Sequence, residues 1–246
     1  MSTAIVITSG KGGTGKTSLT GGVASCLAAL GRQVLCIDMD IGLRNLDLTL
    51  GMSDRALMDF TDVLSGRCTL ERAAVSHPVI QGLSLITAPV RLPQEPLSEQ
   101  AMRELIRQAK QRYDYILMDS PAGLGEGFRL ACCGADRVVV VSTTDASALR
   151  DAQRTVTILR EELPRIHLVV NRVQPKLLRR LHTTIDDAMD AAGLPLLGVV
   201  PEDPQVMLCA NQGQPLIVRT SRGAAIAYLN IARRLLGQRV PVMKLR

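Results

Sequence analysis

Short apolar runs recur along the chain, and stretches with helical spacing lie between them. Ala4-Ile5-Val6-Ile7-Thr8, Gln33-Val34-Leu35-Cys36-Ile37, Leu83-Ser84-Leu85-Ile86-Thr87 and Tyr115-Ile116-Leu117-Met118 have strand length. So do Arg137-Val138-Val139-Val140-Val141, His167-Leu168-Val169-Val170 and Leu196-Leu197-Gly198-Val199-Val200. Runs that are apolar almost throughout suit strands buried on both faces, as in a parallel sheet covered by helices. Ser98 is placed to cap a helix whose apolar face is Ala101, Met102, Leu105, Ile106 and Ala109. A helix over 145–163 turns Leu149, Val156, Leu159 and Leu163 inward and Arg150, Asp151, Arg154, Arg160 and Glu161 outward. One more helix is expected before the last strand, with Leu177, Leu178, Leu181, Ile185 and Ala188 inward and Lys176, Arg179 and Arg180 in solvent. Gly31 reads as a helix C-cap, and the last helix, over 222–236, stops at Gly237. Residues 57–75 alternate short helical patterns around a break at Gly66 and carry no chemistry of their own. The expectation is an α/β fold, a mostly parallel sheet flanked by helices on both faces, with one domain over 1–237 and a short tail over 238–246.

Composition narrows what fills that fold. Of 246 residues 46% are hydrophobic, yet only 2% are aromatic and none is tryptophan, so the core is aliphatic. The same scarcity argues against binding single-stranded nucleic acid by stacking. A net charge of +6 allows loose attraction to DNA or an anionic membrane surface without demonstrating either. Cys26, Cys36, Cys68, Cys132, Cys133 and Cys209 include no C-x-x-C pair and read as small buried hydrophobes of a reducing compartment. The apolar start runs straight into a glycine-rich loop, unlike a signal peptide, and no apolar run approaches the roughly 20 residues that span a bilayer. A cytoplasmic location, at most peripheral to a membrane, is expected.

The most informative stretch is Ser9-Gly10-Lys11-Gly12-Gly13-Thr14-Gly15-Lys16-Thr17-Ser18. Between a predicted strand and a predicted helix, it satisfies G-x-x-x-x-G-K-[ST] in full. Gly10, Gly12, Gly13 and Gly15 let the backbone curl and aim its N–H groups at one point, to which the helix start adds its positive end. Lys16 is placed to reach the outer phosphates and the Thr17 hydroxyl to join a Mg²⁺ shell. Lys11 is the anomaly, a second cation inside a loop whose phosphates Lys16 already serves.

Three further segments complete the chemistry. Asp38-Met39-Asp40 lies at the carboxyl end of a strand, where open α/β sheets place their ligands. Two acids there would ordinarily be solvated or cap a helix, but downstream of a phosphate loop that is the weaker reading. Tyr115-Ile116-Leu117-Met118-Asp119 is an apolar strand ending in an acid, the pattern in which a carboxylate holds magnesium. Asn171, at another strand end, offers a donor and an acceptor to an adenine edge, and Arg172 offers a plane on which a base can stack.

K-G-G-T-G-K-T over 11–17 resembles the deviant phosphate loop of the MinD/ParA ATPases. The run D-M-D-I-G-L-R-N-L-D-L over 38–48 closely resembles that family's switch I, and D-S-P-A-G over 119–123 its switch II. Similar too are S-x-x-R-D at the head of the 145–163 helix, V-P-E-D over 200–203 and N-Q-G-x-P over 211–215. The resemblance implies a P-loop NTPase, an ATP- and Mg²⁺-dependent dimerising ATPase, slow and stimulated by a partner. In it Lys11 crosses the dimer interface to the other subunit's nucleotide, Asp40 positions the attacking water, and Asp38 and Asp119 serve the metal. Asn45 lies at the dimer face, Gly123 near the γ-phosphate, and Asn171, Arg172, Pro201 and Asp203 around the base, the last two through their backbone. Arg150 and Asp151 become candidate partner contacts.

The partners it implies are a division inhibitor of the MinC kind and an activator of the MinE or MinJ kind, the inhibitor being recruited to regulate septum placement. The chain departs from the pattern at Val240-Pro241-Val242-Met243-Lys244-Leu245-Arg246, which is too short for a stable amphipathic helix and promises only weak membrane contact. A ParA-type or flagellar-number regulator acting on DNA or another assembly is the alternative, with DNA the less favoured partner. An iron–sulfur electron-transfer ATPase shares the loop, but 87–98 lacks the cysteine that such a cluster needs.

Overall fold

In the computed structural model the described residues are 2–243 apart from Asp54, Leu92, Gln94, Glu95, Glu161, Glu162 and Pro164. Glu161 of the expected charged helix face and Lys244, Leu245 and Arg246 of the tail therefore lie outside the described residues. The apolar runs form β1 (Thr3–Thr8), β2 (Val34–Asp38), β4 (Leu83–Ile86), β5 (Tyr115–Asp119), β6 (Arg137–Ser142), β7 (Ile166–Val173) and β8 (Leu196–Pro201). With the two-residue β3 (Val75–Ser76) they make one sheet in the order β3-β4-β2-β5-β1-β6-β7-β8, parallel except for the edge pairing of β3 with β4. Nothing in the hydropathy of Val75-Ser76 marks β3, because a two-residue edge strand is defined by its neighbour.

Alternate strand residues feed two cores. Ala4, Val6, Leu35 and Ile37 pack under α3 (Phe60–Leu64), α4 (Leu70–Ala73), α5 (Glu99–Ala109), α6 (Glu126–Cys132), α7 (Ala146–Leu159) and α9 (Ile185–Ala192). Ile5, Ile7, Val34 and Cys36 face α1 (Lys16–Ala29), α2 (Asn45–Leu50), α10 (Pro204–Asn211), α11 (Leu216–Arg219) and α12 (Ala224–Leu235). Each fully buried aliphatic side chain contributes about 1.5–3 kcal/mol, and a sheet covered on both faces explains why its strands read as unbroken apolar runs. All six cysteines are buried. No described helix is long and apolar enough to cross a membrane.

One expected element is corrected. The helix drawn through Leu177 and Ile185 is two helices, α8 (Pro175–Leu181) and α9, parted at His182, which adopts the left-handed conformation with φ 52°. Thr184 and Asp187 form a capping box, each side chain bonding the other's backbone N–H, and this restarts the chain as α9. Leu177 and Leu181, expected inside, are 41% and 54% exposed, and α8 has no buried residue. Leu178 packs against the core from α8, and Ile185 and Ala188 do so from α9.

Parallel strands place all their carboxyl ends on one edge, and α2 sits there beside β2. A buried histidine fastens it: His77 Nε2 lies 2.9 Å from the Leu50 carbonyl, while its Nδ1 accepts from Val79 N (3.1 Å) and Ile80 N (2.9 Å). The ring is thus the neutral Nε2–H tautomer, and burial holds its pKa below the ordinary 6.5. A folded-state pKa lowered in this way contributes stability above the unfolded value and loses it as pH falls through and below about 6.5. The stability advantage of the wild type over His77→Gln, measured by thermal melts, is expected to shrink between about pH 7.5 and 5.5.

Candidate functional site

β1 ends at Thr8, the chain curls through residues 9–15, and α1 starts at Lys16. The first turn of α1 holds no acidic residue and its N-cap, Gly15, supplies no side-chain hydrogen bond, so the leading N–H groups have no partner within the helix. Gly15 takes φ 89°, and a β-carbon on it would collide with the Asn171 amide. On the other flank, a β-carbon on Gly10 would collide with the Asp151 backbone of α7. The loop is therefore wedged between β7 and α7 at two positions that only glycine fits. A β-carbon on Gly12 would just touch Ala122, Gly13 faces open space at φ 78°, and Thr14 is buried with its hydroxyl unpartnered. Thr17 and Ser18 follow in the first turn of α1.

The two loop lysines occupy different settings. Lys16 is buried, its Nζ 2.9 Å from the Ser9 hydroxyl, which in turn donates to the Lys11 carbonyl at 2.6 Å. Burial lowers its pKa, and attraction to Asp119 and Asp40 opposes that shift. Lys11 is exposed and lies on the start of α7, with Nζ 2.9 Å from Ser147 Oγ and 3.6 Å from Asp145 Oδ1. Asp145 caps α7 by accepting from Ala148 N, and hydrogen bonds from Ser147 and Thr143 hold its carboxyl well below the usual range. Arg150 is exposed on α7, while Asp151 pairs with Arg154 at 3.8 Å.

Beneath the loop stand two buried carboxylates. Asp38 and Asp119 are register partners at the ends of β2 and β5, and each is only 1% exposed. Asp38 accepts from Asp40 N (2.9 Å) and Leu46 N (3.2 Å), yet burial pushes its pKa up to about 6. Asp119 is pushed up to about 7, by burial first and the neighbouring Asp38 second, against hydrogen bonds from Thr17 and Thr20 and attraction to Lys16. Thr20 Oγ1 lies 3.1 Å from Asp119 Oδ1 and 2.9 Å from the Lys16 carbonyl. Asp40, half-buried and just past β2, also has its pKa raised by burial, with Lys16 opposing. Asn45 opens α2, and Gly123 takes φ 86° in the turn between β5 and α6.

Asn171 and Arg172 lie inside β7 rather than beyond its end. One amide hydrogen of Asn171 is spent on the Thr14 carbonyl (2.7 Å), leaving its oxygen as an acceptor for a base edge. Arg172 pairs with Glu202 and donates to the Gly13 carbonyl, so the rim of its guanidinium is engaged while the planar faces are not. Asp203 spends its carboxylate on Gln205 N and Ala224 N, both 2.9 Å, so any base contact at Pro201 and Asp203 falls to the backbone. Ser9, Thr20, Asp145, Ser147 and Glu202 were given no role of their own from the sequence. Short polar residues near a glycine loop carry no pattern that separates them from solvated ones.

The arrangement fits a magnesium nucleotide. Unmet helix N–H groups, the orphaned Thr14 hydroxyl and buried Lys16 suit a phosphate chain, while two adjacent buried carboxylates with the Thr17 hydroxyl suit a divalent cation. Carboxyls raised above the ordinary 3.8 stabilise the fold most at low pH, and that contribution is lost as pH rises through about 6 to 7. Thermal melts of nucleotide-free protein near pH 8 should therefore find Asp119→Asn more stable than the wild type by about 1–3 kcal/mol, with the gap closing toward pH 5.

Residues 5–216 match the family described as the CobQ/CobB/MinD/ParA nucleotide binding domain. The chain is 38% identical to the septum site-determining protein MinD of Synechocystis, covering 99% of this chain and 92% of that protein. It is 39% identical to the MinD of Bacillus subtilis, covering 100% and 93%. Among solved structures, the MinC:MinD cell division protein complex of Aquifex aeolicus superposes with a TM-score of 0.92 at 36% identity, covering 99% of both chains. The MinD of Pyrococcus horikoshii complexed with Mg-ADP superposes with a TM-score of 0.85 at 29% identity, covering 96% of both. On the matched loop, the paired carboxylates and this agreement over nearly the whole length, the chain belongs to the MinD/ParA family of nucleotide-binding ATPases.

Proposed function

We propose that this protein is an ATP-dependent dimerising ATPase acting in placement of the division septum. The observation that carries the reading is the division of labour between the two loop lysines. Lys16 is buried and aimed at the site, whereas Lys11 is held outside by an exposed ion pair at the head of α7. An exposed pair of that kind is worth about 0–1 kcal/mol, so Lys11 is cheaply released toward a second subunit's phosphates. The MinD name of the relatives supports septum placement, and the MinC:MinD complex supports a MinC-like division inhibitor as partner. An activator of the MinE or MinJ kind, meeting Arg150 and Asp151 on α7, and a weak contact of the tail with the membrane surface complete the proposal.

In the mechanism, the loop N–H groups and Lys16 bind the β- and γ-phosphates and hold them in place. Thr17, Asp38 and Asp119 would hold magnesium, which would supply neutralisation of charge on the phosphate oxygens. Asp40 orients a water for in-line attack on the γ-phosphorus, and the bond to the bridging oxygen breaks to leave ADP and phosphate. Lys16, with Lys11 from the second subunit, stabilises the charge that develops. Closure of two subunits also removes water from the site, which strengthens each of these interactions.

Lys16→Ala is expected to lose nucleotide affinity. Lys11→Ala is expected to bind ATP yet remain a monomer, whereas Asp40→Ala accumulates an ATP-bound dimer. An ATP-binding titration reads the first, gel filtration with and without ATP reads the other two, and an ATP-dependent dimer of Lys11→Ala would overturn the shared-site mechanism. Strong, salt-sensitive, ATP-dependent binding to nonspecific duplex DNA would instead favour a ParA-type role.

A further inference from the structure

We infer that Glu202 and Arg172 form a strut that holds the phosphate loop in its binding shape before nucleotide arrives, making Glu202 a positioning residue for phosphate recognition. The inference rests on the reading of residues 10–17 as a phosphate loop and assigns a role that base recognition does not cover.

The starting point is an irregularity in the sheet. Along the β7–β8 ladder, Val170 is paired with Val199, and the next partners are Val173 and Pro201. Three steps on β7 match two on β8, so β7 carries one extra residue at Asn171-Arg172, and Arg172 takes the left-handed conformation with φ 54°. Consecutive side chains of a regular strand point to opposite faces. Here the bulge sends both to the same target: Asn171 Nδ2 donates to the Thr14 carbonyl at 2.7 Å, and Arg172 Nη1 to the Gly13 carbonyl at 3.2 Å. A left-handed arginine is unfavourable, and it persists where surrounding contacts over-determine it.

The consequence follows from the planar trans peptide, in which the C=O of one residue and the N–H of the next point in opposite directions. Pinning the Gly13 carbonyl outward turns the Thr14 N–H inward, and pinning the Thr14 carbonyl does the same for the Gly15 N–H. These are the peptides most able to flip, because Gly13 and Gly15 flank them at φ 78° and 89°. Arg172 needs its own anchor to do this, and Glu202 provides it, with Nε 2.8 Å from Oε2 and Nη2 3.4 Å from Oε1. Glu202 is itself fixed by its N–H to the Val173 carbonyl at 3.0 Å, which ties the strut to the strand just beyond the bulge.

The test separates phosphate positioning from base contact by titrating wild type, Glu202→Ala and Arg172→Lys with Mg-ATP and with Mg-tripolyphosphate, which has no base. NMR order parameters of the 13–15 amides are measured in parallel on the nucleotide-free proteins. Glu202→Ala is expected to weaken ATP and tripolyphosphate by the same factor, about 3- to 10-fold, and Arg172→Lys, which also loses the stacking plane, to weaken tripolyphosphate by that factor and ATP by at least as much, both with lowered loop order. Loss confined to ATP would place the pair on the base and overturn the strut, as would unchanged affinity for both ligands or unchanged loop order. Should Glu202→Ala fail to fold, Arg172→Lys, which keeps the charge but not the fork, decides alone. A wild type that binds neither phosphate chain would sink the nucleotide reading, and the order parameters would still judge the strut.

Discussion

Asp38 and Asp119 stand side by side at the ends of adjacent strands, nearly shut off from water, and the rest of the site is arranged around the cost of keeping them there. Burying two like charges without a counterion is expensive, and the fold answers in part by raising both carboxyls toward neutrality. Hydrogen bonds from Thr17, Thr20 and the backbone of Asp40 and Leu46, with the nearby Lys16, offset more of it. What remains is a deficit of the kind a divalent cation would remove. Under the proposed assignment, magnesium nucleotide would be coupled to the stability of the fold, since a ligand that binds only the folded state adds its binding energy to it.

The same pair connects the site to segments that lie farther away. Asp38 accepts from the first turn of α2, whose far end is fastened to His77. Asp119 closes β5 and leads through the turn containing Gly123 into α6. A change in occupancy between the two carboxylates has direct mechanical routes to both segments, which are the ones that resemble switches I and II. At the flanks of the loop, Gly10 and Lys11 lean on α7, while Asn171 and Arg172 of β7 hold the Thr14 and Gly13 carbonyls. The loop is thus supported laterally by β7 and α7 and from below by the acids, and what its own backbone leaves open is the ligand side.

Much of this was legible in the sequence, and for a common reason. Strands buried on both faces have to be apolar throughout, so β1, β2 and β5 to β8 announced themselves. A loop that must curl around phosphate requires glycine at fixed offsets, and acids at strand ends stand out against an apolar run. The misreadings were of a different kind. Helical spacing at Leu177 and Leu181 implied a core face, but of the α8 leucines only Leu178 packs against the core, and α9 begins anew from the Thr184 cap. The Thr184–Asp187 capping box makes that restart.

Local pattern by itself therefore determined the parallel sheet and the phosphate loop and singled out Lys16, Asp38, Asp40 and Asp119 as candidates, because each is specified by neighbours within a few residues. Only the tertiary structure decided that Lys11 rests on Asp145 and Ser147, that Ser9 holds Lys16, and that a bulge turns Asn171 and Arg172 together onto the loop with Glu202 behind them. Those contacts join residues from 7 to 159 positions apart. Their existence depends on where the sheet order β5-β1-β6-β7 sets the strand ends, which no local spacing encodes.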